Sequence, residues 1–196
     1  MLTTENTTKW LLAFAGKINE QKAYLSELDT AIGDGDHGSN MARGTKVMEE
    51  KLKEGNFSSV QDVFKTASMQ LLSKIGGASG PLYGSALIGM AKQSGQDEND
   101  IVSILKAGLE GIQKRGKAVA GEKTMVDVWE PVISALESGK LSKETVQEAV
   151  NKTKDIKATK GRASYLGDRS IGTIDPGAAS SGLFFEAMLE GDIVNE

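Results

Sequence analysis

The sequence predicts an all-α fold, and three observations carry that prediction. Apolar residues recur along most of the chain at the i, i+3, i+4 and i+7 spacing of one helix face. Strict apolar–polar alternation, the pattern of a half-buried strand, never extends beyond about five residues. The connections between helical segments are brief. With 196 residues and no internal repeat, the chain is expected to form one domain over residues 1–196, an antiparallel helical bundle.

The helices can be assigned in order from this spacing. Two clear apolar stripes are Leu11, Phe14, Ala15 and Ile18, and Val60, Val63, Phe64, Ala67 and Leu71. Ser59, with Asp62 three residues later, resembles a capping box that starts the second helix. Pro81 suits the first position of a helix, whereas Pro131 should kink its helix or mark the start of one. Further helices are predicted over residues 21–28, 39–53, 81–94, 99–114, 126–138, 142–156 and 178–190.

Composition excludes several classes of function. The formal net charge is −4 and basic residues are interleaved with acidic ones, so the chain has no basic stripe for nucleic acid. No apolar stretch approaches the roughly 18 residues of a membrane span, and the polar N-terminus is unlike a secretory signal. We therefore expect a cytoplasmic protein with no membrane partner. The absence of cysteine and the single histidine exclude thiol chemistry and multi-histidine metal sites.

The gaps between the predicted helices are unusually rich in Gly, Asp and Ser. They are residues 29–40, 76–85, 116–124 and 161–177. In the first gap, Asp29, Asp34 and Asp36 bring carboxylates close together, and unpaired carboxylates repel each other. A hard cation relieves that repulsion, and Mg²⁺ prefers carboxylate, water and phosphate oxygens. The alternative is a solvated turn whose aspartates cap the following helix.

Two known motifs overlap this acidic loop, and neither fits. Gly33, Gly35 and Gly38 have the spacing of a dinucleotide fingerprint, but the intervening aspartates would repel a pyrophosphate and no strand precedes them. An EF-hand beginning at Asp34 would need a glutamate where Thr45 stands. The sequence therefore predicts neither a Rossmann turn nor a calcium loop.

Two stretches of small residues predict contacts with an anion. Residues 37–40 stand at the expected start of a helix, whose free amides and dipole attract phosphate. The alternative for His37 is a helix-capping role without a ligand. Residues 76–85 allow backbone amides to approach a ligand closely, and Ser79 adds a hydroxyl donor. Close packing of two helices would also require such small residues.

The last two gaps add side chains suited to a nucleotide. Met125 offers an adaptable apolar surface for a planar base. Arg162 offers a forked donor that suits phosphate. Each residue alone is as compatible with a core methionine or a surface arginine, but the four gaps together predict a magnesium–nucleotide site.

Four motifs, which span nearly the whole chain in order, also carry a resemblance to a known family. They are Ile-Gly-Asp-Gly-Asp-His-Gly-Ser-Asn at 32–40, Gly-Gly-Ala-Ser-Gly-Pro-Leu-Tyr-Gly at 76–84, Gly-Glu-Lys-Thr-Met at 121–125, and Lys-Gly-Arg-Ala-Ser-Tyr-Leu-Gly at 160–167 with Asp-Pro-Gly-Ala at 175–178. In these motifs the sequence resembles the ADP-binding L subunits of phosphotransferase-system-dependent dihydroxyacetone kinases. The resemblance implies an eight-helix antiparallel barrel that binds ADP at one end through two magnesium ions.

The resemblance also implies roles for individual residues. Asp29, Asp34 and Asp36 match the metal ligands. The positions that match phosphate contacts are His37, Gly38, Ser39, Asn40, Ala78 and Ser79. The rest of the nucleotide pocket is matched by Gly116, Met125, Arg162, Asp175, Pro176 and Gly177.

The activity implied by the resemblance is phosphoryl transfer through a tightly bound ADP/ATP coenzyme. The nucleotide takes phosphate from a phosphohistidine on an M subunit and passes it to dihydroxyacetone on a K subunit. Two alternatives remain open. One is a detached nucleotide domain of a dihydroxyacetone kinase that exchanges ADP for ATP freely. The other is a non-catalytic sensor of nucleotide state that binds a transcription regulator.

Overall fold

The regular structure of the chain is helical, which confirms the all-α prediction. The computed structural model describes residues 1–191 and 193–194, and within them the only regular elements are α-helices and 3₁₀ segments. The α-helices are α1 Thr4–Ile32, α2 His37–Glu54, α3 Val60–Lys74, α4 Ser79–Ser94, α5 Ile101–Gly116, α6 Val126–Glu137, α7 Lys143–Lys152 and α8 Pro176–Glu190. The 3₁₀ segments Thr153–Asp155 and Arg162–Ser170 lie between α7 and α8.

The eight α-helices of the described chain close into a ring. Each packs against the next along the chain, and α8 returns to pack against α1. Brief connections make consecutive helices from α1 to α7 antiparallel, and the longer segment 153–175 joins α7 to α8. The α1–α2, α3–α4, α5–α6 and α7–α8 connections therefore lie at the same end of the ring.

An aromatic cluster holds three of these helices together. The ring centroid of Phe184 in α8 lies 4.7 Å from that of Trp10 in α1 and 5.3 Å from that of Trp129 in α6. All three rings are buried. Trp10 Nε1 also donates a 2.8 Å hydrogen bond to the Phe184 carbonyl, so α1 and α8 share a polar contact inside the core. This packing joins α1, α6 and α8 in the core of the ring.

The first helix is longer than the sequence pattern predicts. The stripe ending at Ile18 and the segment 21–28 form one helix, because the polar residues between them are exposed helix formers and no proline interrupts them. The helix stops at Gly33, whose amide donates to the Asp29 carbonyl. Despite the length of α1, no helix in the described part of the chain is long and apolar enough to cross a membrane.

Other details of the helices can be compared with the sequence predictions. The predicted helix over 142–156 ends as α7 at Lys152 and continues as a 3₁₀ turn. The sequence predicts a loop over Arg162–Ser170, but the structure has 3₁₀ turns there. Pro131 lies inside α6 instead of marking a helix start, and Pro81 occupies the first turn of α4 but not its first position. Ser59 does cap α3, accepting a 3.1 Å bond from the amide of Asp62.

Candidate functional site

A cavity of about 580 Å³ opens at the end of the ring where the four Gly-, Asp- and Ser-rich gaps meet. We call it the loop cavity. Its volume lies within the range of about 300–1,000 Å³ that is usual for small-molecule pockets. The predicted site residues on its wall are Asp29, Asp34, Asp36, His37, Asn40, Ala78, Ser79, Gly116, Met125, Arg162, Asp175, Pro176 and Gly177.

The three predicted metal ligands lie together on this wall. Carboxylate oxygens of Asp29, Asp34 and Asp36 lie within 4.8 Å of one another. Asp34 and Asp36 are exposed, and Asp36 precedes α2 without a side-chain cap bond to it. Hard oxygen donors at such separations fit a divalent cation of the Mg²⁺ type.

Asp29 lines the cavity and also accepts hydrogen bonds from the backbone. Its Oδ2 accepts the amides of Asp36 and His37 at 2.9 and 3.0 Å, so it caps α2 from across the loop while Oδ1 makes neither of these bonds. Burial raises the pKa of Asp29, the two amide bonds lower it, and the charges of Asp34 and Asp36 raise it further. The helix-capping alternative therefore describes Asp29 but not Asp36. A cation at Oδ1 would counter the repulsion among the three carboxylates.

The single histidine is held by hydroxyl groups on both sides. His37 Nδ1 lies 3.0 Å from Ser79 Oγ, and Nε2 lies 2.9 Å from Ser180 Oγ. Burial lowers the pKa of His37 to about 4, so the imidazole is neutral near pH 7. The ring therefore holds the Ser79 hydroxyl at the cavity wall and does not itself present an unbonded nitrogen to a ligand.

Gly38 and Ser39 are the predicted site residues that do not line the loop cavity. Gly38 lies where α1 and α2 approach closely, because a Cβ there would stand 1.7 Å from the carbonyl oxygen of Lys22. Ser39 Oγ donates a 3.1 Å bond to the Asp36 carbonyl. For these two residues a phosphate contact remains a prediction. Asn40 does line the cavity, and its Oδ1 accepts a 2.6 Å bond from Arg43.

The second Gly-rich stretch leads into the first turn of α4. Gly77 has a φ of +68°, in the left-handed region that favours glycine. Ala78 precedes α4 and contributes no side-chain cap bond, and Pro81 lacks an amide hydrogen. The amides of Ser79 and Gly80 are helix-start donors of the kind that bind anions.

Another part of the wall is apolar. It is formed by Leu82, Ile112, Ala118 and Met125, of which the last three are buried. Such a surface suits a planar aromatic group. The sequence analysis missed Leu82 and Ile112, because both occupy helix faces whose apolar spacing is that of ordinary core residues.

The α5–α6 loop contains a buried lysine that the sequence analysis did not assign to the site. Lys123 lines the cavity, is 1% exposed and has a φ of +62°. Its Nζ donates to the carbonyls of Thr153 and Thr173, so the ammonium joins the α5–α6 loop to the segment that precedes α8. Burial lowers its pKa, and nearby carboxylates, chiefly that of Asp175, oppose that effect. No local sequence pattern distinguishes such a lysine from a surface one.

Asp175 caps α8 at the floor of the same region. Its Oδ2 accepts a 2.9 Å bond from the amide of Ala178, and Pro176 begins the helix. Burial raises the pKa of Asp175 to about 7, although the Ala178 bond and the charge of Lys123 oppose the rise. The carboxylate therefore titrates near neutral pH.

Arg162 lies at the rim, at the start of the second 3₁₀ segment. Its guanidinium is 3.2 Å from the Asp34 carboxylate, and 71% of the arginine side chain is exposed. An exposed, forked cation beside the acidic cluster can bind either a carboxylate or a phosphate.

The fold matches that of solved kinases. The dihydroxyacetone kinase of C. freundii superposes with a TM-score of 0.77 at 22% identity, over 95% of this chain and 34% of that one. The same values hold for its complex with AMP-PNP and Mg²⁺. At this identity the likeness concerns the fold, which this chain shares with about a third of the longer kinase.

Sequence relatives cover more than nine-tenths of the chain. The ADP-binding subunit DhaL of PEP-dependent dihydroxyacetone kinase 1 from Listeria innocua is 54% identical, over 94% of this chain and 95% of the relative. The corresponding subunit of the PTS-dependent kinase from Lactococcus lactis is 53% identical, over 97% and 98%. The Escherichia coli subunit is 37% identical, over 91% and 92%. Since the DAK2 domain model also matches residues 31–190, the chain belongs to the DAK2 domain family.

Proposed function

We propose that this chain is the nucleotide-carrying subunit of a phosphotransferase-system-dependent dihydroxyacetone kinase, with ADP or ATP and Mg²⁺ held as a tight coenzyme. The loop cavity is the observation that carries the proposal. Its acidic cluster, helix-start amides and apolar wall are the partners that the metal, the phosphates and the base of a nucleotide require. The Listeria and Lactococcus relatives, which are named ADP-binding subunits, support it.

The acidic cluster would hold the metal. Asp29 would use Oδ1, since Oδ2 is bound to the α2 amides, and Asp34 and Asp36 would use their exposed carboxylates. When bound, Mg²⁺ supplies the positive charge that neutralises both the carboxylates and the phosphates.

The remaining predicted residues would surround the nucleotide. The phosphates would meet the amides of Ala78 and Ser79, the Ser79 hydroxyl and the first turn of α2, which contains Gly38 and Ser39. The base would lie against Met125 and Gly116. Residues 175–177 would complete the pocket at the start of α8.

The chain would carry phosphate, and the K subunit would bind the ketose. Its single histidine has both ring nitrogens bound, so it cannot capture a carbonyl. The exposed rim at Arg162 would allow a phosphohistidine of the M subunit, and then dihydroxyacetone on the K subunit, to reach the terminal phosphate. We place this phosphate transfer in the cytoplasm, where nucleotides are available.

A reconstitution tests the proposal. The protein purified with Mg²⁺ should carry nucleotide by mass spectrometry and should not phosphorylate dihydroxyacetone alone. Loaded with ATP and mixed with the K subunit, it should complete about one turnover per bound nucleotide, and a phosphorylated M subunit should restore turnover.

The alternatives have different outcomes in the same experiment. Sustained turnover from free ATP without the M subunit would favour an exchanging nucleotide domain. Failure of the first turnover with nucleotide bound would favour the sensor of nucleotide state that binds a transcription regulator.

A further inference from the structure

A buried chain of hydrogen bonds runs from the aromatic core to the cavity wall. In order from the core, its members are Trp129, Ser181, Tyr83, Ser180, His37 and Ser79. We call it the Ser79 relay. We infer that this relay, through His37, turns the Ser79 hydroxyl so that its hydrogen points into the cavity, toward a nucleotide phosphate. The phosphate end of this inference rests on the proposed function.

The inner half of the relay joins α6, α4 and α8. Trp129 Nε1 donates to Ser181 Oγ at 3.1 Å. Ser181 Oγ lies 3.0 Å from Tyr83 Oη, which lies 2.7 Å from Ser180 Oγ. All four side chains are essentially inaccessible to solvent, so water cannot substitute for a missing partner.

The outer half passes through the imidazole. Ser180 Oγ lies 2.9 Å from His37 Nε2, and His37 Nδ1 lies 3.0 Å from Ser79 Oγ. A neutral imidazole has one donor nitrogen and one acceptor nitrogen. The ring therefore transmits direction: if Nε2 accepts a hydrogen bond, Nδ1 must donate one.

The fixed donor at the inner end sets the direction of the hydrogen bonds as far as Ser180. An indole N–H can only donate, so Ser181 accepts from Trp129 and has its own hydrogen left for Tyr83. Tyr83 can then donate to Ser180, and Ser180 to His37 Nε2. When Ser180 donates to Nε2, Nδ1 carries the ring proton and donates to Ser79, whose hydrogen is left for the cavity.

The reverse direction is less favourable at both ends. Ser181 would accept from Trp129 and Tyr83 together, and its own hydrogen would have no acceptor within the relay. Ser79 would direct its hydrogen at His37 and present only lone pairs to an anion. The Gly177 carbonyl, 3.1 Å from Ser180 Oγ, is a second acceptor for the Ser180 hydrogen, and if it is used, Ser180 can accept from both Tyr83 and His37 Nε2–H. His37 Nε2 is the nearer acceptor, at 2.9 Å, and only donation to it leaves the Ser79 hydrogen for an anion, so we take that arrangement as the favoured one.

His37 and Tyr83 are thus positioning residues that act through Ser79. The imidazole is neutral, with one N–H, in both tautomers. The relay therefore sets the orientation of the Ser79 hydroxyl without any change of charge. A Ser79 donor aimed at phosphate makes a charge-assisted hydrogen bond, whereas an aimed lone pair repels the anion.

Nuclear magnetic resonance of the imidazole nitrogens tests the direction, because the sequence contains one histidine and the signals need no assignment. The whole protein is measured without nucleotide and with ADP and Mg²⁺. We expect the Nδ1–H tautomer in both samples. The Nε2–H tautomer in either sample would overturn the inference.

Tyr83→Phe removes the donor to Ser180 while retaining the ring. It should admit the Nε2–H tautomer in the nucleotide-free protein and weaken ADP binding about tenfold, the usual effect of losing one directed hydrogen bond. Tyr24→Phe, which removes the hydroxyl of an exposed tyrosine on α1, should change neither value. If Tyr83→Phe leaves both tautomer and affinity unchanged, the relay does not orient Ser79.

Ser180→Ala provides a second break in the relay should Tyr83→Phe fail to fold, and the same two changes are expected. The experiment can refute the proposed function and the relay independently of each other. Absence of ADP binding by the wild-type protein would refute the nucleotide assignment, while the tautomer of the nucleotide-free protein would still decide the direction of the relay.

Discussion

The guanidinium of Arg162 and the carboxylate of Asp34 form an ion pair of 3.2 Å at the rim of the loop cavity. Both side chains are substantially exposed, so the pair contributes only about 0–1 kcal/mol. A cation at the acidic cluster could therefore displace the guanidinium at little cost. The freed arginine would remain at the rim, within the part of the site where a terminal phosphate would lie.

Arg162→Ala should weaken binding of ADP with Mg²⁺ and leave the free energy of unfolding within about 0.5 kcal/mol of wild type, because an exposed arginine contributes little to packing. Calorimetry of binding and thermal melting check the two parts. Arg162→Lys should retain some affinity through its charge. Tighter ADP binding by Arg162→Ala would mean that the arginine competes with the metal and does not assist the phosphate.

Asp34→Ala and Asp36→Ala should each abolish retention of ADP while the protein stays folded, since both carboxylates are exposed and neither belongs to the core. Without Mg²⁺, removing one of three clustered like charges could even raise the melting temperature. Mass spectrometry of the purified variants measures the bound nucleotide. Glu148→Ala, an exposed acidic residue on α7, is the matched control. Stoichiometric nucleotide in either aspartate variant would refute the metal assignment.

Chelation should destabilise the purified protein. A ligand that binds only the folded state stabilises it by roughly 4 kcal/mol when present at 1,000 times its dissociation constant. EDTA should therefore lower the melting temperature of the nucleotide-bound wild type sharply. Asp36→Ala, which is expected to hold no metal, should melt at the same temperature with and without EDTA. An unchanged wild-type melting curve after complete chelation would contradict a metal-bridged coenzyme.

The sequence was sufficient to predict the parts of the site that are contiguous in the chain. The acidic loop and the Gly-rich stretches are predicted by their local composition. Helical periodicity predicts the class of fold. Leu82 and Ile112 could not be found, because an apolar residue that lines a cavity has the same spacing as one in the core. The contact of His37 with Ser180 could not be predicted either, since it joins α2 to the second turn of α8, far away in the sequence.

Replacing Asp175 should change how stability depends on pH. Its pKa is raised to about 7 by burial, so between about pH 4 and 7 the unfolded chain loses this proton while the folded one keeps it, and rising pH costs stability. The lowered pKa of His37, about 4, acts in the opposite direction over an overlapping range. Asp175→Asn keeps an oxygen for the α8 amide and removes only the first effect.

The stability of Asp175→Asn relative to wild type should therefore grow from pH 4 to pH 7, by an amount on the order of a few kcal/mol. Denaturant unfolding of both nucleotide-free proteins across this range measures the difference, in which the His37 contribution cancels. A difference that stays constant with pH would show that Asp175 is ionised in the folded protein throughout.

Lys123→Met should destabilise the protein and weaken ADP binding together. The ammonium donates to the carbonyls of Thr153 and Thr173, and losing it leaves the partly buried Thr173 carbonyl without that donor and the buried Thr153 carbonyl with only a 3.3 Å bond from the Ile156 amide. An unpaired buried polar group costs about 1–3 kcal/mol, so the free energy of unfolding should fall by a similar or larger amount. Because the same loop carries Met125, loosening it should also reduce ADP affinity.

Lys117→Met is the matched control, since Lys117 has the same left-handed backbone, with a φ of +57°, and is exposed. Any cost of placing methionine in that backbone conformation is common to both variants, so their difference isolates the buried ammonium. Urea unfolding and binding calorimetry on the two proteins measure it. Equal stability and equal affinity in the two variants would mean that the Lys123 ammonium does not hold the α5–α6 loop to the segment before α8.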